Sequence, residues 1–154
     1  MSRTVVLDSG PLALLARRND IPAVVQCNLW LDGSLAQEDR VILPEITDYE
    51  VRRELVRLKA FSSVKRLDNL ATRIEYLPIT TAAMRLAADL WAQGRQSGQP
   101  TADPKEPTAD PKELDGDVIL AAQALLLGVS EVVVATTNVG HLSRYVNAKF
   151  WQDV

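Results

Sequence analysis

The sequence is short of the residues from which disulfides and zinc sites are built. It contains a single cysteine, Cys27, and a single histidine, His141. One thiol cannot form an internal disulfide, and one thiol with one imidazole cannot supply the four ligands of a structural zinc site. Because a lone cysteine is typical of a reducing compartment, we expect a cytoplasmic protein.

Long apolar runs and an excess of positive charge are also missing. No apolar stretch approaches the roughly 20 residues that cross a bilayer, and the run before Asp8 is too short for the core of a signal peptide. No membrane association is therefore expected. The net charge of −3 argues against a uniformly basic nucleic-acid binder. Charge is instead segregated, since residues 52–73 are rich in Arg and Lys and residues 103–117 in Asp and Glu.

The 154 residues are 47% hydrophobic and 24% charged, which predicts one folded domain over residues 1–154. Short apolar runs alternate with segments of helical periodicity along most of the chain. The runs that predict strands are residues 4–7, 40–44, 76–80 and 131–137, with an edge strand near the end of the sequence. This alternation predicts an α/β fold of three layers, in which a central parallel sheet of four to five strands is flanked by helices. We expect residues 131–137 at its centre.

Helix boundaries are predicted from capping residues. Proline at the first helical position and a hydroxyl or carboxylate before it are the usual signals. The predicted starts are at Pro22, Thr47 or Asp48, Thr80 and Asp115. Gly94 and Gly98 are expected to end the helix that Thr80 caps.

The heptapeptide PTADPKE occurs twice in tandem, at residues 100–106 and 107–113. Two prolines in each copy exclude a coiled coil, and the scarcity of apolar residues excludes a core element. We therefore predict a mobile surface loop over about residues 99–114.

Four acidic residues lie where a parallel α/β sheet would bind a ligand. Asp8 ends the first strand, Glu50 lies in an early helix, and Asp115 and Asp117 open a late one. Ligands of such sheets gather at the carboxyl ends of the strands, and clustered carboxylates suit Mg²⁺ or Mn²⁺. Each acid also has an ordinary explanation as a helix cap, a solvated charge or a partner of a helix dipole. Convergence of the carboxylates is what distinguishes the two interpretations.

Four segments in this order, VVLDSGPL, ITDYEVRREL, DGDVILAAQAL and VVVATTNVGHL, resemble the PIN-domain family of metal-dependent ribonucleases, particularly the VapC-type toxins of bacteria. The resemblance extends from Val5 to Leu142. It implies that Asp8, Glu50 and Asp117 are the catalytic carboxylates that hold Mg²⁺ or Mn²⁺. Asp115, two residues before Asp117, is expected as a second-tier ligand if Gly116 lets the backbone turn both carboxylates inward. The resemblance also implies an RNA substrate, a cognate antitoxin protein and a homodimer.

The chain departs from the family pattern after the late strand, where the family commonly has a fourth acid and this sequence has Asn138 and His141. A less negative site would bind a metal more weakly. We expect the hydroxyl of Thr137 to orient Asp8. The other residues expected around the ligands are Ser9, Asn138 and His141, and the arginines expected to contact RNA phosphates are Arg52, Arg53 and Arg57.

Two other functions remain open at the level of sequence. The missing fourth acid favours a catalytically weakened PIN-like domain that binds RNA or a protein partner. A phosphotransfer or phosphatase domain would use Asp8 as a nucleophile, but the second Asp expected two residues later is replaced by Gly10.

Overall fold

The computed structural model describes residues 2–18, 20–96 and 111–154, in which strands and helices alternate as predicted. The strands are β1 (Thr4–Leu7), β2 (Arg40–Pro44), β3 (Glu75–Leu77), β4 (Val132–Thr136) and β5 (Ala148–Phe150). The helices are α1 (Ser9–Ala16), α2 (Pro22–Ala36), α3 (Glu45–Arg57), α4 (Phe61–Arg73), α5 (Thr81–Gln96) and α6 (Pro111–Leu125). Short 3-10 helices follow at Leu142–Arg144 and Trp151–Asp153.

The five strands form one parallel sheet in the order β3-β2-β1-β4-β5. This confirms the predicted parallel sheet and places β5 at its edge. The predicted centre was wrong, since β1 lies in the middle and β4 beside it. Both strands are apolar and almost fully buried, so their composition does not distinguish the central strand from its neighbour.

Helices cover both faces of the sheet, because successive side chains of a strand point to opposite sides. Val5 and Leu7 of β1 pack in a core that includes residues of α1, α2 and α4. Val6, between them, packs in a second core with Leu120 and Ala124 of α6. Burial on both faces explains why the strand sequences are continuously apolar rather than alternating.

Two predicted helix starts are confirmed. Pro22 is the first residue of α2, and the hydroxyl of Thr80 accepts a hydrogen bond from the N–H of Ala83 at 3.0 Å. The other two were wrong. Thr47 and Asp48 are buried within α3, which begins directly after the strand at Glu45. Asp115 lies inside α6, because that helix already begins at Pro111, a proline in the first-turn position it favours.

The boundaries around the duplicated segment also differ from those predicted. Helix α5 extends to Gln96, so Gly94 lies within it, and Gly98 is outside the described residues. The predicted loop at residues 99–114 lies outside the described residues as far as residue 110. Residues 111–114 belong to the start of α6 rather than to a loop.

Cys27 is a buried, free thiol on α2. Burial raises its pKa to about 12, so the thiol stays protonated at neutral pH. Among the described helices, none combines the length and the apolar character required to cross a bilayer.

Asp39 is a buried carboxylate that joins the start of β1 to the segment after α2. It accepts hydrogen bonds from the Ser34 hydroxyl at 2.7 Å, the Arg3 N–H at 3.0 Å and the Arg3 guanidinium at 3.2 Å. Burial opposes its ionisation, but these hydrogen bonds and the Arg3 charge outweigh burial and lower the pKa of Asp39. The ionised carboxylate therefore stabilises the fold.

Replacing this carboxylate should destabilise the protein in a pH-dependent way. We expect Asp39→Ala to lower the free energy of unfolding by about 1–3 kcal/mol, because the Arg3 N–H and the Ser34 hydroxyl lose their acceptor. Since the folded-state pKa is depressed, the advantage of the wild type is complete above the unfolded-state pKa of about 4 and shrinks as the pH falls through the folded-state value. Urea unfolding of both proteins from neutral pH downwards measures this difference. A gap that stays constant as the solution is acidified would contradict the assignment.

Candidate active site

Asp8 lies at the carboxyl end of the central strand. Its N–H donates to the Ala135 carbonyl at 3.0 Å, which continues the β1–β4 pairing one residue beyond β1. One carboxylate oxygen accepts from the Ser9 N–H at 2.7 Å, and the other accepts from the Thr136 hydroxyl at 2.7 Å. Asp8 is thus both the N-cap of α1 and a fixed acidic group at the edge of the sheet where ligands of such folds bind.

The carboxylate of Asp8 is hard to ionise in this position. Burial raises its pKa, and the hydrogen bonds from Thr136 and Ser9 offset the effect of burial only in part. A cation nearby would favour the ionised form, because it replaces the hydration that burial removes.

The hydroxyl that orients Asp8 belongs to Thr136 rather than to the predicted Thr137. Leu7 pairs with Ala135 in the parallel register, so the next residues along the two strands, Asp8 and Thr136, are also neighbours. Strand alternation turns the Thr137 side chain elsewhere. The register of β1 and β4 is the signal that would have identified Thr136, but the sequence does not specify that register.

Thr137 packs instead against Gly10, in the first turn of α1. A Cβ added to Gly10 would lie 2.1 Å from Oγ1 and 2.5 Å from Cγ2 of Thr137. No larger residue fits there unless the end of β4 moves. The absence of a Cβ at Gly10 therefore allows α1, and with it Asp8, to lie close to the end of β4.

The Glu50 carboxylate lies against the backbone of α6 at Gly116. A Cβ at Gly116 would be 2.8 Å from Glu50 Oε2 and 3.0 Å from its Oε1. Because Gly116 stands between Asp115 and Asp117, the packing of α3 on α6 brings Glu50 next to the segment that carries the two other acids. Asp117 is half-buried and Asp115 is exposed.

The chemistry of these donors suits a hard divalent cation, since all are carboxylate oxygens and no thiolate or imidazole is required. Glycine at position 116 leaves the space that the Glu50 carboxylate occupies beside α6. Among the side chains that the structure describes, which leave out those of residues 111–114, however, no three from His, Cys, Asp or Glu form a group that could hold one metal ion. The contacts that define the candidate site are those of Asp8 with Thr136 and Ser9, and that of Glu50 with Gly116.

The residues after β4 form a hydrogen-bonded turn. The N–H of Asn138 donates to the Thr136 hydroxyl oxygen at 3.0 Å, and the Asn138 side-chain oxygen accepts from the Gly140 N–H at 3.1 Å. His141 follows the turn, and its Nδ1 is buried without a hydrogen-bond partner among the described residues. Asn138 thus supports the threonine that holds Asp8.

Arg52 belongs to a network of hydrogen bonds that links α3 to α4 and β3. Its guanidinium donates to Asp48 at 3.0 Å and to Asp68 at 2.7 Å, and the Tyr76 hydroxyl donates to the other oxygen of Asp48 at 2.9 Å. Asp48 is only 8% exposed. This arrangement gives Arg52 a structural role that sequence analysis did not identify.

The two other predicted arginines are exposed on the same helix. Arg57 forms an ion pair with Glu54 one turn earlier. The guanidinium of Arg53 lies 5.1 Å from the centre of the Tyr49 ring. Arg53 is three residues from Glu50, so the two residues share one side of α3.

The chain is similar over almost its whole length to solved structures from bacteria. FitAcB from Neisseria gonorrhoeae is 20% identical, with a TM-score of 0.68 over 97% of this chain and 99% of that chain. DNA-bound VapBC from Salmonella typhimurium is 19% identical, with a TM-score of 0.67 over 98% and 99%. VapBC2 from Rickettsia felis, bound to a DNA fragment from its promoter, is 14% identical, with a TM-score of 0.67 over 96% of this chain and 98% of that chain.

No family profile matches the sequence, and no curated protein matches it. At the identities of these structures, the likeness concerns the fold. It confirms the predicted PIN-like α/β architecture with helices on both sides of a parallel sheet.

Proposed function

We propose that this chain is a PIN-type endoribonuclease that requires a divalent metal and acts as the toxin of a toxin–antitoxin pair. The observation that carries the proposal is the placement of Glu50 against Gly116, between Asp115 and Asp117. A helix cap or a solvated charge needs no such approach of one acidic side chain to a segment that holds two more. Asp8 at the carboxyl end of the central strand completes the set of residues.

In this proposal, Asp8, Glu50 and Asp117 would hold Mg²⁺ or Mn²⁺, with Asp115 as an additional ligand. The chemistry that a bound ion would supply is positive charge at the scissile phosphate and a lower pKa for the attacking water. Thr136 and Ser9 orient Asp8 through the two hydrogen bonds of 2.7 Å. The carboxylates bind and orient, and none of them needs to transfer a proton.

The proposed RNA surface is centred on Arg53. Its exposed guanidinium is close to Glu50 along α3 and suits a phosphate, while the exposed Tyr49 ring offers a face on which a base can stack. Arg57 contributes less, because Glu54 already neutralises part of its charge. Arg52 is held by Asp48 and Asp68 and is assigned to the fold.

The proposed partner is a cognate antitoxin protein, supported by the fold shared with VapBC and FitAcB structures. We also propose a homodimer. Several large apolar side chains are exposed and available for burial by a partner or a second copy: Leu29, Val56, Leu58, Phe61, Met84 and Trp91.

A second candidate function is a PIN-like domain that binds RNA without cleaving it. The lack of a three-residue metal-binding group among the described side chains favours this alternative, as does the amide of Asn138 where a fourth acid would stand.

Cleavage of labelled single-stranded RNA distinguishes the two. We expect cleavage with Mn²⁺ or Mg²⁺, loss of cleavage when EDTA removes the metal, and recovery when Mn²⁺ is added in excess, because the proposed mechanism assigns activation of the water to the bound ion. RNA that is retained in a filter-binding assay but stays intact under every metal condition would establish the binding function instead.

A further inference from the structure

We propose that Gln123 is a positioning residue that fixes the approach of α6 to α3 and so keeps the Glu50 carboxylate beside Gly116. Its effect on catalysis rests on the proposed nuclease function, whereas its effect on the two helices does not. No sequence pattern pointed to this residue, since a single Gln in an apolar helix is an ordinary surface position.

Gln123 is nearly inaccessible to solvent, at 2% exposure, and uses both ends of its amide. The amide NH₂ donates to the Leu77 carbonyl at 2.9 Å and to the Pro78 carbonyl at 3.2 Å. The amide oxygen accepts from the Ile46 N–H at 3.4 Å. One side chain of α6 thus binds both the end of β3 and the start of α3.

The contact with Ile46 satisfies a specific requirement of α3. The first N–H groups of a helix have no partner within the helix, and a capping side chain normally supplies one. The residue before α3 is Pro44, which makes no side-chain capping bond. Gln123 provides the missing acceptor from a different helix, so the start of α3 is tied to α6.

A second bond ties the same start of α3 to the segment after β3. The Glu45 carboxylate accepts a hydrogen bond from the Ile79 N–H at 2.8 Å. Leu77, Pro78 and Ile79 therefore connect to both helices. This connection resists sliding of α6 along α3.

Gln123 and Gly116 are seven residues apart, about two helical turns, so both face the same side of α6. On α3, Ile46 and Glu50 are four residues apart and also share a side. The two helices consequently meet at two linked points, Gln123 with Ile46 and Gly116 with Glu50. A displacement of α6 relative to α3 at Gln123 would therefore change the distance between the Glu50 carboxylate and Gly116.

The first test uses variants of the full chain. Gln123→Met keeps the length of the side chain and removes its donors and acceptor, whereas Gln123→Glu keeps an acceptor for Ile46. The matched control is Ser34→Ala. Ser34 lies on α2 rather than on α3 or α6, and the substitution removes its buried hydrogen bond of 2.7 Å to Asp39. Mn²⁺ affinity is measured by calorimetry, RNA cleavage by steady-state kinetics and stability by thermal unfolding.

We expect Gln123→Met to weaken Mn²⁺ binding and to lower kcat by about 10- to 100-fold, the usual range for a residue that supports a metal ligand. KM should stay unchanged, because Gln123 is buried and does not reach RNA. Gln123→Glu should fall between the wild type and Gln123→Met. Ser34→Ala should lower the melting temperature with Mn²⁺ affinity unchanged. If the wild type binds Mn²⁺, an equal affinity in Gln123→Met would overturn the proposal.

The second test needs no metal, so it decides the role of Gln123 even if the wild type binds no Mn²⁺ and the proposed nuclease function fails. Gly116→Ala is made in the wild type and in Gln123→Met, and the two shifts in melting temperature are compared. We expect Gly116→Ala to lower the melting temperature less, or raise it more, in Gln123→Met than in the wild type. Without the Gln123 hydrogen bonds, α6 is free to move away from Glu50 and accommodate the added methyl group. Equal shifts in the two backgrounds would show that Gln123 does not control the distance between the helices.

Discussion

Asp8→Asn is expected to lower the rate of RNA cleavage by at least about 100-fold while the protein stays folded. A metal ion contributes several kcal/mol to stabilisation of charge in the transition state, and each 1.4 kcal/mol corresponds to about tenfold in rate. The neutral amide loses the charge that holds the cation. It retains an oxygen for the Ser9 N–H, which currently lies 2.7 Å from the Asp8 carboxylate.

The fold should tolerate this substitution because the Thr136 hydroxyl has an alternative acceptor. Its oxygen lies 3.2 Å from the Asn138 carbonyl, so the hydroxyl can turn there and accept from the new amide. Burial raises the pKa of Asp8, which means that ionised Asp8 opposes folding as the pH rises through the folded-state pKa. The melting temperature of Asp8→Asn at neutral pH should therefore equal or exceed that of the wild type.

The matched control is Asp32→Asn, the same chemical change at an exposed residue that pairs with Arg73. We expect normal cleavage by this variant. If Asp8→Asn cleaves RNA as fast as Asp32→Asn does, Asp8 is only a helix cap and the proposed mechanism is incorrect.

Gly116→Ala is expected to lower RNA cleavage by about 10- to 100-fold, the range typical of displaced metal ligands and their supports. The added Cβ would occupy the position 2.8 Å from Glu50 Oε2, and the carboxylate must move away. Stability should change by less than about 1 kcal/mol, because the atoms that move are at the end of a flexible side chain and alanine is the better helix former.

Gly33→Ala is the control for this substitution, since Gly33 also lies within a helix, α2, and an added Cβ meets nothing within 4 Å. We expect it to raise the free energy of unfolding by roughly 0.5–1 kcal/mol and to leave cleavage unchanged. Chemical denaturation and the RNA assay together measure both effects. Full activity of Gly116→Ala would show that the position of Glu50 is unimportant for the reaction.

The candidate site could be located from sequence only in part. The position of Asp8 after the first strand follows from the boundary between an apolar run and a turn, which depends on adjacent residues. The choice between Thr136 and Thr137 depends on the register of β1 against β4, strands that are more than 100 residues apart in the sequence. A shift of one residue reverses the direction of a strand side chain, so the wrong threonine was predicted.

The helix starts illustrate the same limit. Thr80 and Pro22 act through bonds and backbone angles within their own turns, and both predictions were correct. Helix α3 has no capping side chain of its own, because Gln123 serves its first turn from α6. Prediction from neighbouring residues therefore assigned the cap to Thr47 or Asp48, although both are buried inside the helix.

The sequence by itself determined the alternation of strands and helices, the parallel sheet and the acidic residue at the end of its first strand, because these depend on periodicity and on neighbours along the chain. The tertiary structure alone decided that β1 is central, that Arg52 binds Asp48 and Asp68, and that Glu50 rests on Gly116. These features depend on how distant segments pack in three dimensions, where the absence of a single Cβ lets a carboxylate approach a helix backbone.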